Sequence, residues 1–429
     1  AYITVDLHQV NNRNPFVYKT SDYGRSWKSI SAGVPKSPLS YAHCVREDPV
    51  KRGLLYLGVE NALYVSFDDG GKWQPLQNNL PHAPLHWITV QENFNDLVVA
   101  TYGRGFWILD DVTPLRELTP DVLQKSAHLM RPRAAYRFIL ITEPMMDSDD
   151  QTQGVNPPYG ASINYNLKAA TEGDVKLEIK DANGNLVRTV DGTKDAGINR
   201  VWWDLTYEPS TEIKLRTKPV YAPWVKMGDD GTRPYPGFGG RIRVLVRPGT
   251  YNVTLKVGGE EMTQSLEVRK DPNSEGTPAD IDTQVTRLLR IRDDMNSVVE
   301  MIHKLEWTRK QLYDLKDVHQ DDEGIVKAID DLDKKLLAVE ETLVETKLTG
   351  RGQDALRWPS RLVFKLAHLA NGIGTADFAP TTQQIAVHET FQKQIGELRQ
   401  QVETLLSTDI AAFNSMLKEK GIANVVPKS

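Results

Sequence analysis

The sequence predicts a multidomain chain in three consecutive parts. Residues 1–115 read as blades of an all-β propeller too few to close a ring, 161–270 as an antiparallel β-sandwich, and 276–425 as an α-helical bundle, with a linker at 116–160. Three observations carry this reading. A turn motif occurs twice in the first third at an interval of 46 residues; short alternating strand patterns separated by turn residues fill the middle; and apolar residues spaced three and four apart mark the last third.

Composition sets limits first. The 429 residues carry 52 Lys and Arg against 57 Asp and Glu, a formal charge of −5, which offers no basic surface for nucleic acid. No apolar run approaches the roughly 20 residues that span a bilayer, so no membrane span is expected. Cys44 is the one cysteine; it excludes an intrachain disulfide and a cysteine-based metal cluster, and reads as a small buried hydrophobe. The chain opens on the alternating strand pattern Ala1 to Leu7 without an initiator methionine or leader, and its start is expected to be an internal point of a longer polypeptide.

In the first third, Thr20-Ser21-Asp22-Tyr23-Gly24-Arg25-Ser26-Trp27 and Ser66-Phe67-Asp68-Asp69-Gly70-Gly71-Lys72-Trp73 each follow a strand-like run. The chemistry of the motif is structural. The carboxylates of Asp22 and Asp68 accept backbone N–H groups, Gly24 and Gly70 allow positive φ, and Trp27 and Trp73 pack between blades. A third unit runs from His86 to Val90 and from Leu97 to Leu109, without the aspartate turn but with a Gly103-Arg104-Gly105-Phe106 hairpin before the chain exits through Asp110 and Asp111. Three blades leave exposed edges, because propellers have typically four to eight. The missing blades are expected from an N-terminal propeller segment of the same protein, self-association through the open edge being the other way to cover them.

The paired motifs resemble the Asp box, or bacterial neuraminidase repeat, of sialidases, xyloglucanases and sortilin-type receptors, with Thr20 where serine is commoner. In the middle third, strand runs 162–167, 175–179, 186–190 and 199–205, with an Asn183-Gly184 turn, argue an antiparallel sandwich that resumes at 241–246, 249–257 and 263–268 after a Pro- and Gly-rich insertion at 207–240. The pattern resembles the Ig-like domain of the flagellar hook-capping protein. Trp202 and Trp203 point to opposite faces of one strand, so at least one belongs to the core.

The last third opens on Thr277-Pro278-Ala279-Asp280, an N-cap, a first-position proline and a first-turn carboxylate. Apolar stripes follow at Val285 to Leu305, Ile325 to Leu343 and His388 to Leu405; shorter helices near 361–369 and 409–420 complete a bundle of about five. No chemistry is visible there.

The whole chain resembles the C-terminal portion of large bacterial proteins with neuraminidase-like repeats or a sortilin-like propeller. That resemblance implies a periplasmic or extracellular protein acting on glycans as a glycoside hydrolase, with its catalytic residues mainly upstream; the rival implication is a non-enzymatic propeller that binds peptides or proteins. Within this chain the candidates to complete a catalytic set are Arg104, Asp110 and Asp111, and those to line a binding face are Tyr102 and Trp107. Turn and inter-blade ion pairs are the plainer role for the charged three. No cofactor is expected, although Asp147-Ser148-Asp149-Asp150 has oxygens that suit calcium. His82 and His86 share a four-residue spacing, but Pro84 between them forbids a regular helix, so no metal site is expected there.

Overall fold

The computed structural model describes residues 1–140, 154–219, 221–237, 241–351 and 354–427. They divide into two compact units. The first takes in Ala1–Tyr136, 154–204 and Gly249–Arg269; the second takes in the described residues of Leu205–Pro248 and Lys270–Ser429, with 137–140. Sheets fill the first unit and helices dominate the second.

Three small antiparallel sheets open the first unit. The first is β1 (Tyr2–Leu7), β2 (Asn12–Lys19) and β3 (Lys28–Ser29); the second is β4 (Ala42–Glu47), β5 (Leu55–Val59), β6 (Leu63–Ser66) and β7 (Gln74–Pro75); the third is β8 (Leu85–Gln91), β9 (Asp96–Thr101) and β10 (Phe106–Leu109). Because side chains alternate along a strand, the second sheet has two apolar faces. Ala42, Val45, Leu55, Leu57 and Val59 pack on Val17 and Ile30 of the first sheet. Cys44, Tyr56, Leu63 and Val65 pack on Leu85, Ile88, Leu97 and Val99 of the third. The sheets thus stack face to face in chain order, each fully buried Leu or Ile contributing about 1.5–3 kcal/mol. Gly58 permits the close approach: a Cβ there would lie 2.6 Å from the Leu85 carbonyl oxygen. Burial raises the Cys44 thiol to about 11, leaving it a packing residue.

After α1 (Thr113–Glu117) and α2 (Pro120–Gln124) come β11 (Ala127–Leu129), β12 (Ala135–Arg137), β13 (Ala161–Leu167), β14 (Val175–Lys180), β15 (Leu186–Asp191) and β16 (Gly197–Trp203). The chain then enters the second unit, where β17 (Lys214–Leu215) and β18 (Arg233–Pro234) pair, and returns as β19 (Gly249–Val257) and β20 (Glu260–Lys270). Two antiparallel sheets result, β11-β13-β16 and β12-β20-β19-β14-β15. Trp203 is buried and meets Tyr251 edge to face with centroids 5.3 Å apart, while Trp202 is only partly covered.

Two stretches differ from the sequence reading. The linker at 116–160 holds β11 and β12, three-residue strands too short to show alternation, whose Ala127, Leu129 and Ala135 are buried. Residues 205–248, expected in the sandwich, belong to the second unit, because Ile213, Leu215, Ile242 and Val244 bury among helix side chains.

Those helices are α3 (Pro278–Val318), α4 (Glu323–Leu343), α5 (Asp354–Arg357), α6 (Leu362–Gly374), α7 (Thr382–Thr404) and α8 (Ile410–Glu419). α3 begins on a reciprocal cap in which Asp280 N donates to Thr277 Oγ1 at 3.1 Å and Thr277 N to Asp280 Oδ2 at 3.0 Å. α7 starts six residues before His388 on a second such cap, Thr381 with Gln384, which its polar first turn hides from an apolar-stripe reading. The stripes Val285 to Leu305, Ile325 to Leu343 and Ile395 to Val402 share one core.

Candidate functional site

The two repeated turns have the same hydrogen-bond pattern. In the first, Thr20 Oγ1 and Ser26 N donate to Asp22 Oδ1 at 2.8 and 2.9 Å, and Gly24 N donates to Thr20 Oγ1 at 2.9 Å. In the second, Ser66 Oγ and Lys72 N donate to Asp68 Oδ1 at 2.8 and 2.9 Å, and Gly70 N donates to Ser66 Oγ at 2.9 Å. Paired positive φ angles close each turn, 60° and 87° at Tyr23 and Gly24, 62° and 83° at Asp69 and Gly70. The tryptophans differ. Trp73 is buried with Nε1 donating to the Ile30 carbonyl beside the first sheet at 2.6 Å, whereas Trp27 of the first turn is 42% exposed.

Asp111 is buried at φ 56° and its carboxylate is occupied. Thr113 N and Oγ1 donate to Oδ1 at 3.2 and 2.6 Å; Ser162 Oγ and Asn164 Nδ2 donate to Oδ2 at 2.7 and 3.3 Å. Arg200 adds hydrogen bonds to the Asp110 and Asp111 carbonyls at 2.8 and 2.9 Å. This network fastens the exit of the third sheet onto β13 and β16. Asp110 is partly buried, and burial first, then the Asp96 charge, push its carboxyl above the usual range against Arg200 and Arg133. Arg104 and Tyr102 are exposed on the β9–β10 hairpin, and Trp107 Nε1 donates to the Arg104 carbonyl at 3.0 Å. His82 Nδ1 donates to the Asn61 carbonyl at 2.8 Å, whereas the His86 ring stacks on that of His43. The Asp147–Asp150 stretch lies outside the described residues.

The structure assembles a row of side chains that sequence reasoning missed. β4 pairs with β5 as Ala42↔Val59 then Cys44↔Gly58, and β8 with β9 as Leu85↔Thr101 then Trp87↔Ala100. His43 and His86 are therefore the extra residues at equivalent bulges, a device that re-aims side chains and clusters at functional edges. The same registers make Glu60 and Tyr102 equivalent, each following the second strand of its sheet. Asp6 joins them: Ile3↔Tyr18 matches Leu57↔Tyr64, with each tyrosine at the same distance before its box aspartate.

These residues touch. His8 Nδ1 lies 2.7 Å from Asp6 Oδ1, and its ring stacks on Tyr41 at 4.8 Å between centroids. Tyr41 meets His43 edge-on at 5.2 Å. His43 Nε2 lies 2.8 Å from Glu60 Oε2, and its Nδ1 lies 3.7 Å from Asp6 Oδ2. The His43 and His86 rings stack at 4.4 Å, and His86 continues to Tyr102 at 5.7 Å. Burial, with the Glu60 carboxylate beside it, pushes the Tyr41 phenol up to about 12, so it stays a donor. Burial alone would raise the Asp6 carboxyl, but the backbone N–H and ring of His8 outweigh it and hold it below its usual value. The row is polar and hydrogen-bonded at the Asp6 end and open at the His86 and Tyr102 end, where Trp87 stands with Arg46 over its ring at 4.1 Å. Among the described residues no cluster of three His, Cys, Asp or Glu side chains is arranged to hold a metal ion.

A signal for the row existed. His43 and His86 are separated by nearly the interval that separates the two box aspartates.

No helix among the described residues is long and apolar enough to cross a membrane. No family model matches the chain, and no curated protein matches it. Among solved structures, a match is found to the extracellular domain of a hybrid two component system from B. thetaiotaomicron, at 11% identity and a TM-score of 0.19, over 60% of this chain and 29% of that one. The chain spans less than a third of that structure's length, and so small a likeness carries no argument about fold or function.

Proposed function

We propose that this chain is the C-terminal part of an exported bacterial Asp-box propeller protein that acts on glycans, and that the row from Asp6 to Tyr102 lies on its ligand face. One observation carries the reading: the box turn and the bulged edge recur at matching register in consecutive sheets, as repeated blades require. In blades so arranged, first strands line the ring's axis, and the row draws on first strands β4 and β8.

The ends of the stack support a further partner sheet on each side. Phe106 and Ile108 occupy the register positions of Leu63 and Val65, yet are 79% and 59% exposed where their counterparts are each 3% exposed. On the opposite side of the first sheet, Ile3 is exposed where its counterpart Leu57 is buried. An N-terminal propeller segment of the same protein is the occupant that fits both faces.

Exposed Tyr102 and Trp87 offer flat apolar surface to sugar rings, and the imidazole and carboxyl groups beside them offer hydrogen bonds to hydroxyls. Hydrolysis needs two carboxyl groups about 5 to 9.5 Å apart across the scissile bond. Asp110, its carboxyl raised by burial, stands at the Asp96 end of β9, opposite the end that carries Tyr102, so the carboxyl pair that acts beside the row belongs to the upstream blades. A second reading, a sortilin-like propeller that binds peptides without turnover, is favoured by Asp6 and Glu60, whose carboxylates are both engaged by histidines. The test is a panel of chromogenic glycosides, oligosaccharides and peptides on the complete protein. Glycoside turnover supports the first reading, peptide binding without turnover supports the second, and neither glycan nor peptide binding sinks both.

A further inference from the structure

In the second unit, residues 211–217 run along α3 as a strap whose one edge pairs with β18 over two residues. The other edge is held by α3 side chains in place of a neighbouring strand. Thr211 N donates to Asn296 Oδ1 at 2.7 Å, and Lys214 N to His303 Nε2 at 3.1 Å. Thr217 N and Oγ1 donate to the two oxygens of Glu306 at 2.7 Å each, and Arg216 N donates to Glu306 as well. Residues 296, 303 and 306 fall on one helix face, which lines the acceptors up beneath the strap.

Glu306 is fully buried and faces a second fully buried acid, Glu340 of α4. Glu340 Oε2 accepts from Arg309 at 2.8 Å, while Glu340 Oε1 has no donor. Two ionised carboxylates cannot hydrogen-bond to each other; one must carry the proton. Glu306 already accepts from three groups on the strap, so the orphan oxygen of Glu340 is the one left to carry it. The charge count agrees. Arg309 and Arg233 are buried cations, Glu306 and Asp333 are the anions beside them, and Asp333 takes Arg309 Nε at 2.7 Å and the Tyr313 hydroxyl at 3.1 Å. With Glu340 neutral the cluster balances; with Glu340 ionised a buried negative charge is unmatched.

We propose that Glu306 and Glu340 share one buried proton, and that this proton together with the neutral imidazole of His303 forms a pH-set latch that holds the 211–217 strap on α3. Each partner of the latch fails on its own side. Burial, then the charge of Glu306, raise Glu340 well above the usual carboxylate range, with Arg309 opposing. Its contribution is complete below the unfolded value of about 4.3 and is lost as pH rises through the folded one. Burial, then Arg216, lower His303. Its Nε2 accepts only while unprotonated, so that contribution is complete above about 6.5 and is lost as pH falls through the folded value. The other charged groups at the strap are Glu212 and Arg216 within it, Lys214 paired with Asp230, and Asp293 and Glu300 of α3, Glu300 paired with Lys304; Tyr221 lies near Arg233. Opening the latch would lift Ile213 and Leu215, both buried, off the helix core.

The test uses the full 429-residue chain. Infrared spectra at neutral pH are expected to show a protonated-carboxyl stretch that Glu340→Gln removes; its absence from the wild type would overturn the proposal whether or not the variant folds. Amide-exchange protection at Arg216 and Thr217 is expected to fall at least about tenfold between pH 7 and alkaline pH in the wild type, and to persist in Glu340→Gln, whose amide donates to Glu306 at any pH. Protection that falls equally in both overturns it. On the acid side, His303→Gln is expected to abolish the loss of protection at Lys214, and an unchanged loss in that variant removes His303 from the latch.

Discussion

His43 and His86 stand at the same register position of consecutive sheets, each the extra residue of a bulge, and their rings stack with centroids 4.4 Å apart. Equivalent side chains from neighbouring repeats meet this way only when the repeats stack with their bulged edges on one side. The His43 ring is held by Glu60 and faces Asp6, so it organises the row; among the described residues no hydrogen bond is recorded for the His86 ring, which leaves it available to a ligand.

The two box tryptophans are expected to differ in cost. Trp73→Ala removes a buried ring and its bond to Ile30 and is expected to destabilise the first unit by about 3–5 kcal/mol. Trp27→Ala, at an exposed ring, is expected to cost less than about 1 kcal/mol. Urea denaturation of both variants checks this, and equal midpoints would contradict the stacking order of the sheets.

Asp111→Ala is expected to cost about 3–5 kcal/mol, because it strands Thr113, Ser162 and Asn164 around a missing buried carboxylate and removes the negative charge beside Arg200. Positive φ adds to the loss in alanine, whereas Asn tolerates that conformation, so Asp111→Asn is expected to lie between alanine and wild type. A melting series of the three proteins measures it. Wild-type stability in Asp111→Ala would remove the anchoring role.

Phe106→Asp with Ile108→Asp is expected to raise the solubility of the chain and suppress self-association, with little change in melting temperature, since both side chains project from the uncovered face of the third sheet. Light scattering against concentration decides. Melting lowered as far as by Trp73→Ala would mean that the face is already packed.

Much of this was legible in the sequence where local chemistry dictates structure. The box turns could be read from Asp22, Gly24, Asp68 and Gly70, since a turn of this kind needs only neighbours along the chain, and the α3 cap from Thr277 and Asp280. Tertiary choices were not legible. The residues 241–246 alternate like a strand of the sandwich, yet Ile242 and Val244 pack among helix side chains, because alternation says that a face is buried and not against what. The row was hidden for a related reason: Asp6, His43, Glu60 and His86 are brought together by register, and a bulge leaves no mark in composition.

Tyr41 is expected to resist ionisation in alkali. Its phenol, raised to about 12, contributes stability that is complete below the unfolded value of about 10 and is lost as pH rises through about 12. Ultraviolet difference titration of the wild type and Tyr41→Phe should give superposable curves up to about pH 10.5. One phenol fewer ionising in the variant below that pH would show Tyr41 open to solvent.

The central claim is that the bulged edges carry the ligand, and calorimetric titration of oligosaccharides into the complete protein tests it most directly. His86→Ala and Tyr102→Ala are each expected to weaken binding at least about tenfold while leaving the melting temperature within a degree or so of wild type, because both side chains are exposed at the edge and meet the rest of the row through ring contacts alone. Binding unchanged in both variants, with melting equally unchanged, would contradict it and return the row to a packing role.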